Sequence, residues 1–195
     1  MYFCSTTKNL LKLNILRKIE TIISGFVLRQ DYKKVKRIRK LININDALTI
    51  GLLFIVHKKS DYEKVSKFVE ILQKQKKTIK ALALVESKIL EEQIMPKLTY
   101  DLFSEKNLNW YKKPFGFFID DFIKKDFDIL INLDDSDTYP IKYILAQSKA
   151  KLKIGIDDTE SADYLDIMIK TKPGSDIDFF MNEAIHYLTI LKTKN

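Results

Sequence analysis

The chain is poor in glycine, proline, cysteine and histidine. Five glycines and four prolines in 195 residues are too few turn formers for a loop-rich or low-complexity protein. A single cysteine, Cys4, excludes an internal disulfide framework and any multi-cysteine zinc site. With only His57 and His186, histidine-rich metal sites are excluded too. The most apolar N-terminal stretch, 10–28, is broken by Lys12, Arg17, Lys18 and Glu20, so it is expected neither to span a membrane nor to act as a secretory signal. Cys4 lies too near the start to follow a signal peptide's apolar region. These absences predict a cytoplasmic protein, at most peripheral at the inner membrane.

Several catalytic signatures are missing as well. No G-x-G-x-x-G follows the first apolar run, where the turn reads HKKSDYE, so the backbone has no glycines with which to approach a pyrophosphate. The P-loop pattern is absent, which excludes a P-loop NTPase, and there is no G-x-S-x-G or H-E-x-x-H. No specific DNA-binding motif is present.

What the chain does have is an uneven charge. Its net charge is +8, but residues 1–45 hold eleven Lys/Arg against two acids, a surplus of +9. The remaining 150 residues hold 23 basic and 24 acidic side chains, a balance of −1. Basicity therefore belongs to an N-terminal segment, and the rest is nearly neutral.

Hydrophobic patterning divides the chain at the same place. Leu11, Ile15, Ile19, Ile22 and Phe26 recur at helical spacing and lay one apolar stripe along a helix. The spacing predicts helix through residues 5–42, ending in DYKKVKRIRKLI with a thin seam of Val35, Ile38 and Leu41 among cations. From residue 46, continuous apolar runs alternate with amphipathic stretches. Runs at 47–56, 79–85, 98–103, 127–133, 152–156 and 164–169 read as strands, the near-continuous run at 47–56 as one buried on both faces. Ser60 and Glu63 form a capping-box pattern opening a helix. Pro140, after Asp137 and Thr138, marks the first turn of another. Gly174 and Ser175 are expected to open the last. The alternation predicts an α/β fold, a Rossmann-like three-layer sandwich with a mostly parallel sheet, preceded by a basic N-terminal helical segment. Two regions follow: a basic amphipathic arm at 1–45 and a single Rossmann-like domain at 46–195.

Four sets of residues are candidates for function. Lys33, Lys34, Lys36, Arg37, Arg39 and Lys40 form a dense cationic run suited to RNA, a ribonucleoprotein or an acidic membrane surface. The same arm could dock on the acidic edge of a second copy, giving a homo-oligomer. Asp134, Asp135 and Asp137 follow one strand, and Asp157, Asp158 and Glu160 follow the next. Parallel pairing would gather these carboxylates at the sheet edge, where open α/β folds bind ligands. No motif calls for a cofactor; the cation such a cluster would suit is Mg²⁺, a hard ion that prefers oxygen ligands. His57, at the exit of the first strand, is a candidate base. Trp110, beside Tyr111, Lys112 and Lys113, could stack a base or sugar.

The segments FDILINL, IKYILAQSKAKLKIGI, DIMIKTKP and AIHYLTIL, together with NLNWYKKP, resemble a family of uncharacterised Bacteroidetes proteins known as a domain of unknown function. The strand, acidic turn, helix and second strand ending in KIG are also similar to the N-terminal half of heptosyltransferase-type (GT-B) glycosyltransferases. That second resemblance implies a Rossmann-like half-molecule; in those enzymes the nucleotide-sugar is held mostly by the other half. The leading expectation is a non-enzymatic binding domain using its basic N-terminal segment. The alternative is a degenerate glycosyltransferase-like or Mg²⁺-assisted phosphate enzyme using the acidic cluster, with His57 as base.

Overall fold

A computed structural model describes residues 3–88, 92, 94, 98–133, 138–157, 161–172 and 175–192, excluding the side chains of 3–13. Among the described residues six strands form one sheet: β1 (Thr49–Val56), β2 (Thr78–Val85), β3 (Tyr100–Phe103), β4 (Ile129–Asn132), β5 (Leu152–Ile156) and β6 (Ile167–Ile169). Every adjacent pair is parallel. The order β3-β2-β1-β4-β5-β6 is that of a doubly wound sheet, reversing direction between β1 and β4. The described helices are α1 (Phe3–Tyr32), α2 (Lys59–Lys74), α3 (Phe117–Lys124), α4 (Tyr139–Gln147) and α5 (Ile177–Ile190).

The sequence pattern explains the layers. Strand β1, TIGLLFIV, is buried at every position after Thr49, because helices cover both sheet faces. On one face Val65, Phe68, Val69 and Leu72 of α2 and Phe180, Met181, Ala184 and Leu188 of α5 pack with Ile50, Leu52, Phe54 and Ile131. On the other, Ile119 and Phe122 of α3 and Ile141, Ile144 and Leu145 of α4 cover Leu53, Ile55, Leu82 and Leu130. Gly51 permits the tightest approach, since a Cβ there would stand 2.9 Å from the side chains of both Leu130 and Phe127. Helix α1 lies outside α4, with Leu28 buried against Tyr143 and Ala146.

Local signals land with small shifts. Thr138 is the N-cap of α4 and Pro140 sits in its first turn. Helix α2 starts before the Ser60–Glu63 pattern: Lys58 is its N-cap, and the Asp61 carboxylate takes the Lys58 N–H at 3.1 Å. With Lys58 as N-cap, Asp61 is the third helical residue and closes the box on the Lys58 N–H. Asp176, not Ser175, caps α5. Residue 164 falls in a 3-10 turn, Ala162–Tyr164, before β6. The amphipathic piece around 87–95 lies largely outside the described residues, as does Gly174.

The larger correction concerns residues 33–42. Helix α1 stops at Tyr32, and 35–43 are neither helix nor strand. Six cations within eight residues would be stacked at i,i+3 and i,i+4 spacing in a helix, where like charges repel. The seam of Val35, Ile38 and Leu41 supplies only one apolar residue per turn to offset that. As an irregular strap, the segment gains tertiary bonds instead. Lys40 donates its N–H to Lys151 O at 3.0 Å, and Ile44 donates to Leu188 O at 3.1 Å. Ile42 and Ile44 are buried in the same core cluster as β1 and α5. The strap thus carries the chain from the α4 side of the sheet to the α5 side.

Candidate functional site

The strap crosses the amino-terminal edge of the sheet, because its partners immediately precede β5 and β6. The Arg37 side chain turns inward, only 7% exposed. Its guanidinium donates to Ala150 O at 2.9 Å and pairs with the Asp166 carboxylate. The other Asp166 oxygen accepts the Lys153 N–H at 2.9 Å, and Arg39 approaches the pair at 3.7 Å. Lys33, Lys34, Lys36, Arg39 and Lys40 stay exposed. Of the six predicted contact residues, five therefore face outward on backbone held in place by the sixth. Exposed Ile38 (82%) and Leu41 lie among them.

Asp31, at the end of α1, anchors the strap's start. Its carboxylate accepts from Lys113 Nζ at 2.9 Å, Tyr143 OH at 2.9 Å and Lys34 Nζ at 3.2 Å. Burial alone would raise its pKa, but these donors hold the carboxyl well below the usual range, at about 2. Burial likewise pushes the Tyr143 hydroxyl up to about 12. A shallow depression of about 530 Å³ opens here, lined in part by Lys34, Lys36, Lys149 and Gln147.

Behind the strap stands a residue that patterning did not single out. Lys153, in the middle of β5, is fully buried. Its ammonium donates to Leu145 O at 2.6 Å and Ala146 O at 3.3 Å, the last-turn carbonyls of α4. Burial first, then the neighbouring Arg37 charge, lower its pKa to about 7, against the opposing pull of Asp166. The available signal was a lysine inside an otherwise apolar strand.

The carboxyl-terminal edge, opposite the strap, holds a crevice of about 430 Å³ at the reversal between β1 and β4. His57 and Lys58 after β1, Leu133 after β4, Ile156 of β5 and Asp176 at α5 line it. His57 is half exposed, with Nδ1 3.2 Å from Glu86 Oε2. Asp61 is committed to the α2 N-terminus, and Asp176 accepts from Lys64 at 2.6 Å. Asp157 is exposed at the end of β5, and its N–H is bonded to Ile169 O. Asp134, Asp135, Asp137, Asp158 and Glu160 lie outside the described residues. Among the described residues no group of three or more His, Cys, Asp or Glu could hold a metal ion. Trp110 is 65% exposed in the loop before α3 and meets the Tyr111 ring edge-on at 5.1 Å. It stands apart from the crevice lining.

An all-parallel, doubly wound sheet with helices on both faces is the Rossmann-like class. Within that class the chain belongs to DUF6913, a family of unknown function, whose model matches residues 25–191. No curated protein matches the sequence. Two solved structures are similar to it. One is the E. coli heptosyltransferase WaaC with ADP, at 11% identity and TM-score 0.46, covering 74% of this chain and 48% of that one. The other is a family 9 glycosyl transferase from Veillonella parvula, at 14% identity and TM-score 0.48, covering 82% of this chain and 45% of that one. The chain spans just under half the length of each. Among the described residues no helix is long and apolar enough to cross a membrane.

Proposed function

We propose that the protein is a non-enzymatic binding domain that engages an anionic partner through the strap. One observation carries this reading: buried Arg37 pins the backbone to Asp166 and Ala150 while Lys33, Lys34, Lys36, Arg39 and Lys40 remain exposed. Cations on a fixed backbone lose less conformational entropy on binding than cations on a free tail. The test is the triple variant Lys33→Glu, Lys36→Glu, Lys40→Glu, which spares Arg37. The wild type should bind single-stranded RNA or phosphatidylglycerol vesicles with an affinity that falls steeply with salt. The variant should lose about tenfold or more, with an unchanged thermal midpoint. Equal binding by wild type and variant overturns the proposal, as does no binding to either probe.

A second reading, a degenerate glycosyltransferase-like or Mg²⁺-assisted phosphate enzyme, draws on the crevice at the sheet reversal with His57 on its rim. It requires a thermal midpoint that rises with Mg²⁺, a nucleotide or a nucleotide-sugar. No shift across that panel removes it.

A further inference from the structure

Helix α1 has two apolar faces, and the domain uses only one. Leu28 and Ser24 are buried on the face toward α4. Ile15, Ile19, Ile22 and Phe26, spaced by four, three and four residues, share the opposite face and are all exposed, Ile22 by 70% and Phe26 by 62%. Periodicity alone marks this stripe as core-facing; the structure turns it away from the core.

No acid of α1 lies on that stripe. Both acids lie on the domain side, as does Arg17 by its helical position: Asp31 is bonded to Lys113 and Tyr143, and Glu20 lines the cleft between α1 and the body of the protein, a cleft that Arg29 also borders. At about 100° per residue, Lys18 and Arg29 fall beside the stripe. The next charges along the chain are the exposed cations of the strap, with Ile38 and Leu41 exposed between them. The free face is thus apolar, bordered by positive charge. A parallel pairing with a second copy would bring Lys18 and Arg29 against their own kind. A single-stranded nucleic acid would meet a stripe whose only ring among the described residues is Phe26, with little to stack on.

We infer that α1 docks on an anionic lipid bilayer, lying in the headgroup layer with Ile15, Ile19, Ile22 and Phe26 at the acyl boundary. Lys18, Arg29 and the strap cations meet the lipid phosphates. Among the described residues α1 is not long and apolar enough to span a bilayer, so it would lie in the interface, its other face covered by the domain. The inference rests on the anionic-partner reading and names the partner.

The test is flotation of the full chain with phosphatidylcholine vesicles, with and without phosphatidylglycerol. Binding is expected only with phosphatidylglycerol present. The double variant Ile22→Ser, Phe26→Ser should weaken it about tenfold or more. Its thermal midpoint should stay unchanged, because both side chains are exposed. A conservative variant, Ile22→Leu, should bind as the wild type does. If the strap variant loses vesicle binding and the serine variant does not, the stripe inference is overturned while the strap reading stands. If RNA is bound and vesicles are not, the inference also falls. If the wild type is a dimer that the serine variant disperses, with no vesicle binding, the occupant is a second copy and the inference is wrong. If neither variant changes binding, both readings fail.

Discussion

Arg37 and Arg39 are two residues apart, equal in charge, and should differ sharply in their effect on stability. Arg37 is buried and paired, so Arg37→Ala leaves the Asp166 carboxylate and Ala150 O without that donor. Breaking one side of a buried pair should cost about 3 kcal/mol. Arg39 is mostly exposed and 3.7 Å from the same carboxylate, so Arg39→Ala should cost under about 1 kcal/mol. Urea unfolding of the two variants separates them. Lys153 makes a prediction in pH. Its folded pKa of about 7 lies below the value of about 10.4 expected for an unfolded lysine. Between those values the unfolded chain binds the extra proton, so stability rises with pH across that window. Below pH 7 both states are protonated and the contribution is flat. Lys153→Met should remove this slope, at most about 1.4 kcal/mol per pH unit. Denaturant midpoints for both proteins from pH 6 to about 10 would show it. Asp31 gives a slope of the same sign at the acid end. Its folded pKa of about 2 is depressed, so its contribution is present above about pH 4 and lost as pH falls toward 2. Asp31→Asn should flatten the acid limb of the stability profile.

At the scale of elements, the two glycines of α1 and β1 separate propensity from packing. Gly51 sits at the centre of the sheet, where Leu130 and Phe127 occupy the space a Cβ would need. Gly51→Ala should destabilise by about 2 kcal/mol through overpacking, measurable as a lower urea midpoint. Gly25 lies in α1 with nothing within 4 Å of an added Cβ. Gly25→Ala should raise helix content by circular dichroism and leave the core untouched, since alanine favours a helix by up to about 1 kcal/mol over glycine. One substitution acts on a neighbour's volume, the other on the helix's own backbone. Capping shows the same contrast. Pro140 after Thr138 identified the start of α4 from sequence, because proline at the first turn is a purely local constraint. The start of α2 lies at Lys58, two residues before the Ser60–Glu63 pattern, because Asp61 accepts the Lys58 N–H.

At the scale of the molecule, the buried residues set how far the N-terminal segment can be shortened. Ser24 and Leu28 are the first buried residues of α1 among those described, and Ile42 and Ile44 belong to the main core. Removing residues 1–23 should therefore change stability by less than about 1 kcal/mol. Removing 1–45 takes out Leu28, Ile42, Ile44 and the Arg37–Asp166 pair, and should destabilise by about 5 kcal/mol or more. Thermal unfolding of the two truncations decides it. The family match beginning at residue 25 falls at the same place. The strap sits at the amino-terminal edge of the sheet and the crevice at the carboxyl-terminal edge, so the two candidate sites should respond to substitution independently.

The strands, their parallel arrangement and the covering helices were legible in the chain, because burial on both faces leaves continuous apolar runs such as 49–56 and 79–85. The charge asymmetry was legible too, being a matter of counting. Three features were not. Helical periodicity in α1 shows that Ile15 to Phe26 share a face, but not which face the domain takes; Leu28, with Tyr32 one turn on, settled that by fitting against Tyr143 and Ala146. The cationic run shows charge density, but its helical reading failed because Asp166 and the Ala150 carbonyl, more than a hundred residues away, offer Arg37 a better partner than any local turn. Lys153 looked like one polar residue in a strand until the C-terminus of α4 was placed over it. Local periodicity is set by neighbours in sequence, whereas the orientation of a stripe, the path of a strap and the environment of a buried amine are set by groups distant in sequence that only tertiary packing brings near.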